Sequence, residues 1–246
     1  MGIAHWVRSR AGRAGRLFRE RLEAPDFDVY VRELARATLL NRVNVLAWCL
    51  LPGEVHLVGW PERRDSLARA MAEATRRYTR YYNRATKTRG ALFEGRYQSC
   101  ALDWPELAQA VRSVEALPVR RGLVKKVWHW PWSSAGRRCR KVKRDPLVEE
   151  HNLWLFGRHW RSFFYQEFDV ELERKILRCL KAGRPAGDGR FIAAVERIFG
   201  RKMMPGKRGP KGKGQRGRKC RRLSPLAGER ILASIPGTVV VGRGTT

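Results

Sequence analysis

Acidic residues are scarce in this sequence. Across 246 residues there are 23 Asp and Glu against 52 Lys and Arg, a formal net charge of +29. That balance excludes an ordinary acidic cytosolic enzyme and makes a polyanion the default partner, nucleic acid before an anionic membrane surface. Long apolar runs are missing too: none approaches the roughly 18 to 20 residues of a membrane-spanning helix. The first eight residues, Met1 to Arg8, lack the apolar stretch of a signal peptide. An intracellular, cytoplasmic or nucleoid-associated protein is expected. The five cysteines (Cys49, Cys100, Cys139, Cys179 and Cys220) contain no CxxC pair and are odd in number. Free thiols are therefore expected, not a disulfide framework or a zinc site. From Arg201 to Arg222 acid disappears altogether, and glycine alternates with Arg and Lys. Such a stretch buries too little apolar surface to offset its ordering entropy and reads as a basic, disordered arm.

Apolar residues make up 43% of the chain, enough for a packed core. A short strand at His5–Arg8 is followed by a helix from Asp26 or Asp28 to about Leu40, with Val31, Leu34 and Ala35 at helical spacing. Residues 43–60 read as a hairpin turning at Pro52-Gly53, whose return strand puts Glu54, His56 and Val58 on one face and Val55 and Leu57 on the other. A long helix follows over 65–85, with Leu67, Met71, Ala74, Tyr78 and Tyr81 in one stripe and Arg69, Arg76, Arg77, Arg80 and Arg84 elsewhere. The loop 86–90 leads to a strand over Leu92–Leu102. Pro105 then opens a helix ended by Pro118. Residues 150–200 read as helical, broken at Gly183–Gly189.

Four strings resemble one family, the REP-associated tyrosine transposases of the HUH single-strand DNA transposases. Residues 50–57, LLPGEVHL, resemble its "MPNHVHLL" strand, and residues 78–84, YTRYYNR, its arginine- and tyrosine-rich helix end. Residues 92–99, LFEGRYQS, resemble "LWQGRYKS". Residues 117–124, LPVRRGLV, with WPWSS at 130–134, resemble "NPVRAGLV…YPWSS". The likeness spans roughly residues 3–135 and reaches the stretch Gly183 to Phe191, similar to the family's C-terminal extension. It implies an α+β fold with an antiparallel sheet flanked by helices, comprising a transposase-like domain at 1–140, a helical extension at 141–200 and the basic tail at 201–246. It further implies a protein that nicks and rejoins single-stranded DNA at hairpin ends, commonly as a homodimer. In the family a tyrosine attacks the phosphodiester, and two histidines on one strand face hold a divalent metal.

Position by position, that chemistry is altered. The first metal histidine corresponds to Glu54 and the second to His56. The nucleophilic tyrosine corresponds to Ser113, and the amide one turn on corresponds to Leu117. Glu54 and His56 still form a carboxylate and imidazole pair suited to Mg2+ or Mn2+. A serine hydroxyl is a far weaker acid and leaving group than a phenol of pKa near 10, so tyrosine-type nicking is expected to be impaired. The DNA-binding residues persist: Arg76, Arg77, Arg80, Arg84, Arg89, Arg96 and Arg112 for phosphates, and Tyr81, Tyr82, Tyr97 and Trp104 for stacking on unpaired bases. The expected function is recognition of hairpin or single-stranded repeat DNA in transposition. Two alternatives stay open: an active enzyme using Tyr78, Tyr81 or Tyr82 or a Glu54/His56 nuclease, and a general RNA-binding or nucleoid-associated basic protein.

Overall fold

The computed structural model describes residues 2–12, 15, 17–18, 26–153 and 168–204. Residues Met1–Met204 cluster into one compact unit. The expected basic arm lies almost wholly outside the described residues.

Four strands, β1 (His5–Arg10), β2 (Val43–Leu51), β3 (Glu54–Pro61) and β4 (Gln98–Ala101), form one antiparallel sheet in the order β2-β3-β1-β4. The α+β class and antiparallel sheet expected from the sequence are the architecture observed. Helices α1 (Asp26–Leu40) and α2 (Ser66–Thr86) cover one face of the sheet. Helices α3 (Trp104–Arg120) and α6 (Val170–Ala182) cover the other. Two short turns of helix, α4 (Ala135–Arg138) and α5 (Glu150–Leu153), lie between α3 and α6, and α7 (Gly189–Phe199) closes the described chain.

Strand periodicity sorts the residues into two cores. Val7, Val55 and Leu57 join Leu34, Met71, Ala74 and Tyr78 beneath α1 and α2. Trp6, Val58 and Cys100 join Leu107, Ala110, Val111 and Val114 beneath α3. Glu54 and His56 share the parity of Val58, so they face α3 and not α2.

Local chemistry explains most boundaries. Asp103 caps α3 by accepting from the Trp104 amide at 2.8 Å, and Asp169 and Asp188 cap α6 and α7 in the same manner. Helix α3 does not stop at Pro118 as expected but runs to Arg120. Beyond the proline, the Arg121 amide still reaches the Leu117 carbonyl at 2.9 Å. The strand expected over 92–102 is a strand only from Gln98 to Ala101. Gly95, at φ +65, turns the preceding residues out of extended geometry, while the Gly12 and Glu94 amides pin that loop to Leu92 and Arg10.

Beyond the hairpin, the WPWSS segment runs along the outer side of β2. Leu50 donates its amide to the Trp132 carbonyl at 2.9 Å, and Ser134 donates to Trp48 at 3.1 Å. The Trp130 indole donates to the Leu50 carbonyl at 2.8 Å. This segment is fastened by an ion pair of zero exposure, Arg138 Nε to Glu115 Oε1 at 2.8 Å, with the Ser134 hydroxyl donating to the same oxygen at 2.5 Å. Helix α6 is locked to α3 by Arg120–Glu173 and by Lys175 Nζ to Glu106 Oε1 at 2.6 Å. At Gly187 an added Cβ would stand 2.4 Å from the Phe191 ring and 2.8 Å from Asp103 Cβ, so only glycine fits where α7 approaches α3.

Candidate functional site

Two sets of sequence-marked residues lie on opposite faces of the sheet. The first is the Glu54, His56 and Ser113 set. In β3 the i and i+2 spacing brings Glu54 and His56 side by side on the α3 face, with His56 Nε2 2.9 Å from Glu54 Oε2. Strand β1 supplies what lies beneath them. Trp6 donates its indole N–H to His56 Nδ1 at 3.2 Å, and Arg10, the direct cross-strand partner of Glu54, approaches Glu54 Oε1 at 3.3 Å. Arg121, just past the end of α3, reaches Glu54 Oε2 at 3.3 Å.

These contacts settle the proton positions. His56 Nδ1 accepts from Trp6, so the ring proton sits on Nε2 and is donated to Glu54. Burial at 2% exposure pushes the His56 pKa down and favours this neutral tautomer. The hydrogen bond from His56 holds the Glu54 carboxyl down at about 2, with Arg121 and Arg8 adding to the effect. Both imidazole nitrogens and both carboxylate oxygens are therefore engaged by protein groups. Among the described residues no group of three His, Cys, Asp or Glu side chains is placed to hold a metal ion.

Ser113 lies on α3, the helix covering this face, and it is fully buried. Its Oγ has no hydrogen-bond partner. Glu115, two residues on, is committed to Arg138 and Ser134. Leu117 packs into the core beneath α3. Ser113 and His56 are thus buried beneath α3, while Glu54 and Leu117 are only partly buried, and Glu54 faces the half-exposed Arg10 and Arg121. Trp6 and Arg10 were missed by sequence reasoning. Their signal was the parity of β1, which places residues 6, 8 and 10 on one face once the strand is extended to Arg10.

The second set is the arginine group. Arg76, Arg80 and Arg84 recur every four residues along the solvent side of α2, and Arg89 and Arg96 continue from the following loop. All five are exposed. Among the described residues none of the five guanidinium groups makes a hydrogen bond or ion pair. Helix α2 ends at Lys87 in the left-handed conformation, and Asn83 Nδ2 donates to the Gly90 carbonyl at 3.0 Å, folding the loop back beside the helix.

The other two predicted DNA-contacting arginines are placed differently. Arg77 turns back toward α1 and pairs with Glu73 at 2.8 Å and Glu33 at 3.9 Å. Arg112 is buried on α3, with its guanidinium 4.8 Å from the centre of the Phe168 ring. Neither belongs to the exposed row. The reason is geometric. Arg77 stands one residue off the 76–80–84 stripe, and Arg112 faces Phe168, on the side of α3 from which Gln109 reaches the Asp169 carbonyl and Arg120 reaches Glu173.

Of the tyrosines, Tyr78 is fully buried and donates its hydroxyl to the Leu17 carbonyl at 2.8 Å, an anchor in the core. Tyr81 and Tyr82 are half-buried beside it, and Trp104 is 52% exposed at the start of α3. Tyr97 is half-buried beside a groove between α2 and residues 91–97.

No protein-family model matches the chain, and no curated protein matches it. Among solved structures the chain is similar to a REP-associated tyrosine transposase bound to a REP hairpin. The TM-score is 0.48 at 16% identity, over 60% of this chain and 86% of that one.

Proposed function

We propose that the protein binds single-stranded or hairpin DNA as a transposase-like protein, and that nicking by the tyrosine route is impaired. The row of five exposed guanidinium groups on α2 and the following loop, none in an ion pair among the described residues, carries this reading. Exposed arginines without carboxylate partners are free to neutralise phosphates, and a net charge of +29 makes the whole surface attractive to them. The four family-like strings support DNA over other polyanions.

The burial of Ser113 and the internal contacts of Glu54 and His56 support the impairment. The serine at the nucleophile position has no exposed surface, and the Glu54–His56 pair is engaged in internal hydrogen bonds.

The test is incubation of the full chain with labelled single-stranded hairpin DNA and manganese, read on native and denaturing gels. The expected result is a shifted native band with no nick and no adduct surviving denaturation. A covalent adduct overturns the impairment. Equal affinity for duplex, single strand and RNA overturns hairpin or single-strand recognition in favour of a general basic binder.

A further inference from the structure

We propose that the groove between α2 and residues 91–97 receives one unpaired nucleobase of single-stranded DNA, with the adjoining phosphate on Arg76 and Arg96. The inference rests on the DNA-binding reading above and gives it a specific contact.

The groove encloses about 840 Å³, within the range of small-molecule sites and roomy for one nucleotide. Its existence has a sequence cause. The side of α2 facing the loop carries Ala68, Ala72, Thr75 and Thr79, short side chains at spacings of three and four residues. They leave space that longer residues would fill. The lining beneath is apolar, made by Met71, Leu92 and Phe93. The walls therefore suit a flat, weakly polar ring and not a phosphate.

The rim has the opposite character. Arg76 from the helix and Arg96 from the loop stand beside the opening, exposed and without ion pairs among the described residues. Tyr97, half-buried, also lines the groove and offers it an aromatic ring.

This pairing of apolar wall and cationic rim selects the occupant. An apolar peptide would leave two guanidinium groups unneutralised. The chain's own segment from Arg201 to Arg222 contains no acid and would be repelled by them. A nucleotide satisfies both parts, its base entering the apolar space and its phosphate meeting the arginines. In a duplex the base is stacked and paired, so the occupant is an unpaired one. Residue parity puts the groove across the sheet from Glu54 and His56, because Ser9 in its lining shares the face of Val7. Base capture here is therefore on the opposite face from Glu54, His56 and Ser113.

Fluorescence anisotropy with two labelled probes tests this: an eight-nucleotide thymidine oligomer, and an abasic oligomer with the same number of phosphates. Stacking contributes about 1 to 3 kcal/mol per base, or roughly 5- to 150-fold. The full chain is expected to bind the thymidine oligomer at least about 5-fold more tightly. Ala72→Trp fills the groove from an exposed helix position and removes no charge. It is expected to bring the two affinities within about 2-fold while leaving the salt dependence unchanged. Ala68→Phe provides an independent filling should the tryptophan variant fail to fold. A preference that survives both fillings, or a wild-type chain that binds both probes equally, overturns the groove assignment and leaves the DNA-binding reading standing. If neither probe binds even at low salt, that reading fails and the groove assignment falls with it.

Discussion

The exposed arginine row makes a quantitative prediction about salt. Each phosphate neutralised on a single strand contributes about −0.7 to the slope of log affinity against log salt. If Arg76, Arg80, Arg84, Arg89 and Arg96 each meet one phosphate, they account for a slope of about −3.5. That corresponds to roughly a 100-fold loss of affinity between 50 and 200 mM salt. Other cations, including those of the basic segment after Arg201, add to the slope of the whole chain, so the informative quantity is a difference. Replacing Arg76, Arg80 and Arg84 together by Ala is expected to make the slope shallower by about 2. The structure supplies the control. Arg77 lies within the same helical turn as Arg76 and Arg80, but it is committed to Glu73 and Glu33. Arg77→Ala should change the slope by less than one contact. Anisotropy titrations of a labelled hairpin at four salt concentrations read both variants. If the triple variant keeps the wild-type slope, or if Arg77→Ala moves it as far, an unpaired guanidinium on α2 is not what contacts phosphate.

Ser113→Ala should stabilise the protein by about 1 kcal/mol, because it removes a buried hydroxyl that has no partner; a urea melt showing a clear loss would mean Oγ has a role. Arg138→Met should cost about 3 to 5 kcal/mol by leaving Glu115 charged in a fully buried site. An unchanged denaturation midpoint would show that the pair contributes nothing. Burial lowers the His5 pKa to about 4, so its contribution to stability is complete above the unfolded value near 6.5 and is lost as pH falls toward 4. In melts between pH 7 and 4, His5→Gln should therefore lose less stability than the parent chain. Parallel curves would show that His5 does not titrate on unfolding.

The hairpin at 43–61 was legible because strict alternation at Val55, His56 and Leu57 has only one reading, and a proline-glycine pair marks its turn. Helix α2 was legible because its apolar stripe and its arginines separate cleanly around the helix. The strand expected at 92–102 failed in its first half because Leu92 and Phe93 are apolar for another reason. They are buried beneath α1 and α2 from a loop that Gly95 turns. Periodicity cannot distinguish a buried loop residue from a strand residue. At the candidate site, the pairing of Glu54 with His56 followed from parity alone. What surrounds the pair did not follow, because Trp6 and Arg121 lie about 50 to 70 residues away and meet it only through sheet register and the end of α3. The same holds for Arg77 and Arg112. Composition marks them as phosphate binders, and only the position of neighbouring carboxylates and rings removes them.

The stretch that runs along β2 also bears on assembly. An outermost strand with open amides and carbonyls is a template on which a second chain can be laid, and proteins guard against such lateral growth. Here Trp132 and Ser134 take up backbone groups of Leu50 and Trp48, so this border of the sheet is already partly occupied by the protein itself. The opposite border, β4, offers only four residues, and at its end the Ala101 carbonyl already accepts from Ala186. A second strand laid along β2 at Trp48 and Leu50 would therefore have to displace the segment of Trp132 and Ser134 first.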